Sequence, residues 1–180
     1  MEKQDLESLR YPIGKFQVPE TISELQIKKW IDDLEHFPQR LTDLVVDLDS
    51  GQLATPYRPG GWTVRQLIHH ISDSHHNSYI RFKWALTEEK PLIKVYDEKK
   101  WAELHDSKTA PIEHSLNHLR AIHKKLVFLL RGIDRQELKR TFIHPEGNIE
   151  TSLEENIGRY VWHGHHHYTH INNLIGRKDW

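Results

Sequence analysis

The sequence predicts an all-α protein, a four-helix bundle with one long crossover connection and a small β-hairpin. Three observations favour this fold class. Four separate segments repeat apolar residues at helical spacing. Loops rich in glycine and proline separate these segments, and the loops differ in length, as in many bundles. No repeat or linker divides the 180 residues, so we expect a single domain, 1–180.

The N-terminal third of the chain should supply an extended lead-in and the first helix. Two prolines and a glycine interrupt residues 1–20, which predicts an extended segment there. The first helix carries apolar residues at helical spacing from Ile27 to Leu48. Pro38 lies inside this pattern and predicts either a kink or two consecutive helices.

The second and third helices should be joined by the long connection. Thr63 and Gln66 have the spacing of a capping box, which predicts that the second helix begins there and ends near Thr87. Residues 91–111 then form the connection, with one short helix around Glu98–Leu104. A connection of this length often forms one wall of a site. Pro111 favours the start of the third helix.

The last third of the chain should contain the hairpin and the fourth helix. Thr141–His144 and Asn148–Thr151 flank a Pro-Glu-Gly turn and predict two short antiparallel strands. Thr151 with Glu154 has the spacing of a capping box, so we expect the fourth helix to begin there.

Composition excludes several classes of function. The net charge is −1 with mixed signs along the chain, so nucleic acid is not an expected partner. The absence of cysteine excludes disulfides, thiolate metal sites and a cysteine nucleophile. No apolar run reaches the roughly 20 residues of a membrane span, and the polar N-terminus lacks a secretory signal. We therefore expect a cytoplasmic protein without membrane partners.

The histidines are the most informative residues. The chain has 15 of them, and they concentrate in two distant helical segments. The second predicted helix contains His69 and His70. The fourth contains five histidines within an apolar helical pattern: His163, His165, His166, His167 and His170. Two helices that each offer inward-leaning imidazoles can hold one divalent metal ion.

Helical angle sorts the candidates on the second helix. Each residue advances about 100° around the helix axis. With Leu67 at the centre of the apolar face, His70 lies about 60° to one side. His69 lies about 160° away and is predicted to face solvent.

The same reasoning selects a pair on the fourth helix. His167 and His163 lie about 80° and 120° to one side of the apolar face, one turn apart. His166 is predicted to point away from the core. His166 and His170 form a competing pair that faces mostly outward.

These angles favour a metal site of His70, His163 and His167. Imidazoles one turn apart lie about 5–6 Å from each other and can share one ion. Three neutral histidines leave a coordination position open, which is typical of reactive zinc sites. Such an ion lowers the pKa of bound water to about 7 and deprotonates a bound thiol. Spacing alone leaves ordinary solvated histidines as an equally good alternative.

Two stretches carry a resemblance to a known family. They run from Gly60 to His70 and from Tyr160 to His167. With further matches around Tyr11, Asp73 and Tyr96, the chain resembles the DinB/YfiT-like superfamily, and its YfiT branch most closely, over essentially its whole length.

The resemblance implies a four-helix bundle, a homodimer, and a divalent ion, zinc or nickel, on His70, His163 and His167. YfiT-type proteins are described as metal-dependent hydrolases. Some members of the wider superfamily transfer thiols such as mycothiol, bacillithiol or glutathione. Trp62, Arg81 and Tyr160, which all lie within matched segments, are predicted to bind a small-molecule substrate.

The choice between reactions depends on a general base. Hydrolysis usually needs a nearby carboxylate. Asp73 and Glu154 are the candidates, but Asp73 lies further from the core and Glu154 has a capping role. We therefore expect S-transfer from a small thiol, narrowly ahead of hydrolysis by metal-activated water. A non-catalytic metal-binding stress protein is the third alternative.

Overall fold

The computed structural model describes residues 3–180, with side chains from residue 7 onward. Its elements, in chain order, are α1 (Lys3–Arg10), α2 (Glu24–Val45), α3 (Ser50–Leu53), α4 (Val64–Thr87), α5 (Glu98–Ala102), α6 (His105–Thr109), α7 (Ile112–Gly132), β1 (Thr141–His144), β2 (Ile149–Ser152) and α8 (Leu153–Lys178). The four long helices form the predicted bundle. Helices α2 and α4 each pack against both α7 and α8.

Helix α4 begins where the sequence predicted. The side chain of Thr63 accepts a hydrogen bond from the backbone N–H of Gln66, and the Gln66 side chain accepts one from the backbone N–H of Thr63. This reciprocal cap satisfies two backbone donors that the helix itself leaves free. Helix α8 has the same kind of cap on Ser152 and Glu155, one residue later than the predicted pair, because Thr151 still belongs to β2.

Helix α2 continues through Pro38 as one helix. A proline has no N–H, so the carbonyl of Leu34, four residues earlier, receives no helical hydrogen bond from it. That carbonyl lies 2.5 Å from Nδ1 of His123 on α7. The neighbouring helix therefore supplies the donor that the proline removes.

Close approach of α2 and α8 depends on two glycines. A Cβ atom at Gly158 would lie 2.6 Å from the ring of Trp30, and one at Gly164 would lie 3.0 Å from the ring of Phe37. Both rings belong to the buried core. The small residues on α8 thus make room for the aromatic residues of α2.

The predicted lead-in is partly wrong. Residues 3–10 form α1, and only the following segment is extended. The residues that suggested an extended chain, two prolines and a glycine, all lie after α1, which itself contains good helix formers. Residues 11–20 lie against α8, where Nε1 of Trp162 donates to the carbonyl of Gly14 at 3.2 Å.

The predicted connection and hairpin are both present, but β2 begins and ends one residue later than predicted, and the connection contains one additional helix. The connection contains α5, as predicted, and also the short helix α6. β1 pairs with β2 in antiparallel register, Thr141 opposite Ser152. The connection is tied to this hairpin by the N–H of Ile93, which donates to the carbonyl of Ile143 at 3.0 Å. Among the described helices, none is long and apolar enough to cross a membrane.

Candidate metal centre

Helix α4 brings His70 to the interior. Its side chain is buried, and its ring lies 4.8 Å from the ring of Trp62, just before the helix. The Thr63 cap fixes where the helix starts, and two turns later the backbone places His70 opposite α8. His70 therefore faces the histidines of the last helix.

Helix α8 supplies two imidazoles, one turn apart, that both lie beside His70. The ring centroids of His163 and His167 are 4.5 Å apart, and the His70 ring lies 5.3 Å and 5.0 Å from them. One nitrogen from each of the three rings lies within 4.8 Å of the others. We call His70, His163 and His167 the inner triad.

The surroundings keep these imidazoles neutral. Burial, with a smaller contribution from the nearby His166, lowers the pKa of His70 to about 4. Burial and the neighbouring imidazoles hold the pKa values of His163 and His167 well below the ordinary value. Neutral imidazoles keep a lone pair for a metal ion at neutral pH.

A chain of hydrogen bonds leads away from His163 into the bundle. Its Nδ1 lies 3.3 Å from Nε2 of His75, and Nδ1 of His75 lies 2.8 Å from Nε2 of His123. The chain ends at the carbonyl of Leu34, the one that Pro38 leaves free. We call His75 and His123, with this carbonyl, the histidine relay.

The relay fixes the tautomer of His163. A carbonyl can only accept, so Nδ1 of His123 must donate to Leu34. Because burial lowers the pKa of His123 to about 4 and that of His75 well below normal, both rings are neutral and carry one proton each. The Nδ1 atoms of His163, His75 and His123 then each donate a hydrogen bond, and the Nε2 atoms of His75 and His123 each accept one. Nε2 of His163 is left without a proton, as a metal ligand requires.

The donor set fits a divalent metal ion. It consists of three neutral imidazoles from two helices, one of them fixed in the ligating tautomer. Nδ1 of His167 is buried and has no hydrogen-bond partner among the described residues. Ser74, one turn after His70, places its hydroxyl 3.3 Å from Nε2 of His163. Imidazole-only sites suit zinc, nickel, copper or iron.

A second group of histidines adjoins the first. His166, His167 and His170 also bring one nitrogen each within 4.8 Å of the others, and we call them the outer triad. Nε2 of His166 lies 3.1 Å from Nε2 of His170. All three residues come from α8, and His167 belongs to both triads.

The prediction that His166 and His170 face outward is wrong. Both are buried. The extended N-terminal segment places the ring of Tyr11 6.0 Å from His166, and the loop before α4 places Tyr57 4.4 Å from His170. Helical angle measures direction relative to the bundle core, and these chain segments cover the face that points away from it.

His69 was predicted to face solvent, and it is also buried. Its Nδ1 lies 2.7 Å from the hydroxyl of Ser115, and its Nε2 lies 3.2 Å from the carbonyl of Ala110. The end of the long connection and the start of α7 cover this side of α4. His69 is therefore a buried structural histidine on the side away from the inner triad.

A pocket of about 650 Å³ opens onto the inner triad. All three of its histidines line this pocket, together with His166 and Trp62. The charged residues of the wall come from three segments and are Arg10, Arg58, Glu98, Lys99 and Glu103. The connection thus does form a wall of the site.

The three predicted substrate-binding residues lie in different places. Trp62 lines the pocket beside His70. Tyr160 is buried behind His163, with ring centroids 5.5 Å apart. Nη1 of Arg81 donates to the hydroxyl of Tyr160 at 3.3 Å, and neither of these two residues lines the pocket.

The structure also relocates the candidate bases. Burial raises the pKa of Asp73 to about 6, with a smaller contribution from Asp106, but Asp73 does not line the pocket. Glu154 pairs with Arg135 at 2.7 Å. Glu98, which the sequence did not single out, does line the pocket, and partial burial raises its pKa, although Lys99 opposes the shift. Its position in α5, inside the predicted wall, was the available signal.

Comparison with known proteins identifies the family. Residues 33–171 match the DinB superfamily. The chain belongs to this superfamily.

Two relatives match nearly the whole chain. A protein of Oceanobacillus iheyensis is 53% identical over 172 residues, covering 95% of this chain and 98% of its own. A protein of Bacillus cereus is 53% identical over 175 residues, covering 97% and 100%. Both are named as putative metal-dependent hydrolases.

Two solved structures are similar to this fold. YfiT from Bacillus subtilis, described as a probable metal-dependent hydrolase with an unusual four-helix bundle topology, has a TM-score of 0.95 and 51% identity over 96% of this chain and 99% of its own. The four-helix bundle protein TT2238 has a TM-score of 0.57 and 19% identity over 82% and 98%, which supports the fold alone.

Proposed function

We propose that this protein is a metal-dependent hydrolase of a small molecule, with His70, His163 and His167 as the ligands of one divalent ion, zinc or nickel. The observation that carries the proposal is the neutral inner triad at the wall of a pocket that Glu98 also lines. A bound ion would lower the pKa of a coordinated water molecule and polarise the substrate oxygen.

Glu98 changes the preference between the two reactions. The expectation of S-transfer depended on the lack of a convincing base. Glu98 lines the pocket, and its raised pKa brings the carboxylate closer to the range that suits proton transfer near neutral pH. As water attacks, Glu98 accepts a proton from it. The bond to the leaving group then breaks, and Glu98 returns the proton to that group.

Trp62 is the proposed substrate contact. It supplies a flat apolar surface beside His70 at the pocket wall, suited to the uncharged part of a small molecule. Arg81 and Tyr160 lie behind His163 and do not line this pocket. They could contact a bound molecule only from a second cavity.

A matched pair of variants tests the base. Glu98→Gln should lower kcat by about 10²–10⁴-fold with the metal content unchanged. Glu103→Gln is the control, because Glu103 lines the same pocket but pairs with Lys108 at 2.6 Å. Substrates are esters and amides, assayed without thiol, with and without metal. Wild-type kcat in metal-loaded Glu98→Gln would exclude Glu98 as the base.

S-transfer is the second candidate function. Arg10, Arg58 and Lys99 line the pocket and suit an anionic thiol such as bacillithiol. Metal-dependent conjugation of bacillithiol to monobromobimane, without ester or amide hydrolysis, would favour this reaction. Failure of both assays with one equivalent of metal bound would favour a non-catalytic metal-binding protein.

A further inference from the structure

Behind the metal centre lies a second cavity with an unusual charged residue. The cavity measures about 300 Å³ and lies between the hairpin and α8. Arg81 lines it, although only 8% of this residue is exposed. Among the described side chains, no carboxylate lies within ion-pair distance of the Arg81 guanidinium, although eight such pairs occur elsewhere in the described structure.

Arg81 is unsatisfied as a donor. A guanidinium has five N–H groups and stays protonated in proteins. Its side-chain hydrogen bond goes to a neutral group, the hydroxyl of Tyr160, at 3.3 Å. Nε is buried and has no hydrogen-bond partner among the residues that the structure describes. A buried charge without a counter-ion is costly, so this arrangement calls for an anion from outside the chain.

The same cavity is also lined by an unsatisfied acceptor. Asn156 is fully buried, and its Nδ2 donates to Ser78 at 3.1 Å. Its Oδ1 is buried and accepts no hydrogen bond from any described residue. A ligand that pairs with both residues must carry a negative charge for the Arg81 guanidinium and an N–H or O–H donor for Oδ1 of Asn156.

We propose that this cavity binds a small organic acid that carries a hydroxyl or amino group beside its carboxylate. Arg81 binds the carboxylate through its free N–H groups, and Oδ1 of Asn156 accepts a hydrogen bond from the neighbouring hydroxyl or amino group. Arg159 and Glu146, both exposed, lie at the wall with opposite charges and adjust the affinity. The site does not depend on the proposed hydrolysis, because none of its residues belongs to the inner triad.

The first test uses the wild-type chain without metal, so that no ion can bind the probe. Glycolate, acetate and phosphate are titrated in the presence of a chelator, and backbone amide shifts are followed by NMR. Glycolate should shift the amides of Thr151, Asn156 and Arg159, and should bind at least about tenfold more tightly than acetate, which lacks the hydroxyl. No shift with any probe, or shifts centred on His167, would overturn the proposal. Tighter binding of phosphate than of glycolate would overturn the assignment to an organic acid.

The second test separates binding from structure by the sign of a stability change. Arg81→Met removes the buried charge, so it should raise the unfolding temperature of the ligand-free protein. The same variant should bind glycolate at least about tenfold more weakly than the wild type. Arg65→Met is the matched control on α4, because Arg65 donates to the carbonyl of Ala110 at 2.8 Å. This control should lower the unfolding temperature and leave glycolate binding unchanged. An Arg81→Met variant that is less stable or binds glycolate normally would contradict the proposal.

The exposed charges at the wall provide a graded check. Glu146→Gln should tighten glycolate binding by about two- to threefold, and Arg159→Gln should weaken it by a similar factor, because exposed charges contribute little. A large effect of Arg159→Gln with none from Arg81→Met would place the acid at the surface and overturn the buried site.

Discussion

The inner and outer triads share His167 but are built differently. The inner triad takes His70 from α4 and two residues from α8, and the relay supports one of its rings from behind. The outer triad comes from α8 alone, and Nδ1 of His166 is buried without a hydrogen-bond partner in the described part of the chain. Both triads therefore bring three imidazole nitrogens close together. In the inner triad, the relay also fixes the tautomer of one ring, that of His163. For this reason we expect the inner triad, rather than the outer one, to hold the metal ion.

The largest effect should separate the two triads. His70→Ala removes a proposed ligand, so it should lower metal affinity by more than about 100-fold and abolish activity. Loss of a group that only hydrogen-bonds to a ligand typically costs about 10–100-fold. His163→Ala and His167→Ala should do the same. His170→Ala and His166→Ala are the controls from the outer triad, and His69→Ala is the control on α4. Affinity is measured by competition with a chromophoric chelator. Equal losses in all six variants would remove the distinction.

The relay should have the next largest effect. His75→Phe and His123→Phe remove the hydrogen bonds that fix the tautomer of His163, so metal affinity should fall by about 10–100-fold. The cobalt-loaded protein should show a changed visible spectrum.

A second histidine pair on the same helices provides the control. Nδ1 of His76 lies 3.0 Å from Nε2 of His118, between α4 and α7, but this pair does not lead to the inner triad. His118→Phe should leave metal affinity and the cobalt spectrum unchanged. If His75→Phe and His118→Phe behave alike, the relay has no positioning role.

The relay also predicts a pH dependence of stability. The pKa of His123 is lowered by burial from 6.5 to about 4, although its hydrogen bond to Leu34 opposes the shift. Below pH 6.5 the unfolded chain takes up a proton that the folded chain does not, so stability is lost as the pH falls towards 4. Both metal-free proteins should become less stable between about pH 7 and 5. The free energy of unfolding should fall by about 2 kcal/mol less in His123→Phe than in the wild type. Identical losses, measured by urea unfolding, would contradict this.

Two glycines of α8 provide the last comparison, which concerns stability alone. Gly164→Ala should destabilise the protein by about 1–3 kcal/mol, because its Cβ would meet the Phe37 ring that stacks on His75. Gly176→Ala on the same helix has open space and should stabilise it by about 0.5–1 kcal/mol. Urea unfolding measures both. A stabilising Gly164→Ala would show that α2 and α8 do not need this close approach.

The inner triad could be predicted because it depends on regular geometry. The 100° rotation per residue orders His70, His163 and His167 around two helix axes, and it also predicts which faces meet in a bundle. The fold followed from the same periodicity. The cap of α4 was predicted correctly at Thr63, whereas the cap of α8 lies at Ser152, one residue after the predicted position, because β2 runs directly into α8.

The remaining features of the site depend on tertiary contacts that no local pattern encodes. His166 and His170 are buried by chain segments without helical periodicity, and His69 is buried by the end of the connection and the start of α7. Glu98 reaches the pocket only because the connection folds across it. The relay joins Leu34, His75 and His123 from three helices. Pro38 gave a hint of it, since a proline in a helix leaves one carbonyl in need of a donor.

The most direct test of the central claim is the position of the metal. Crystals grown with zinc or nickel can be measured at the absorption edge of that metal, which locates the ion independently of the protein atoms. We expect one anomalous peak, from an ion bound by His70, His163 and His167, with Nε2 of His163 as a ligand and its Nδ1 facing His75. A peak bound by His166 and His170 without His70 would contradict it.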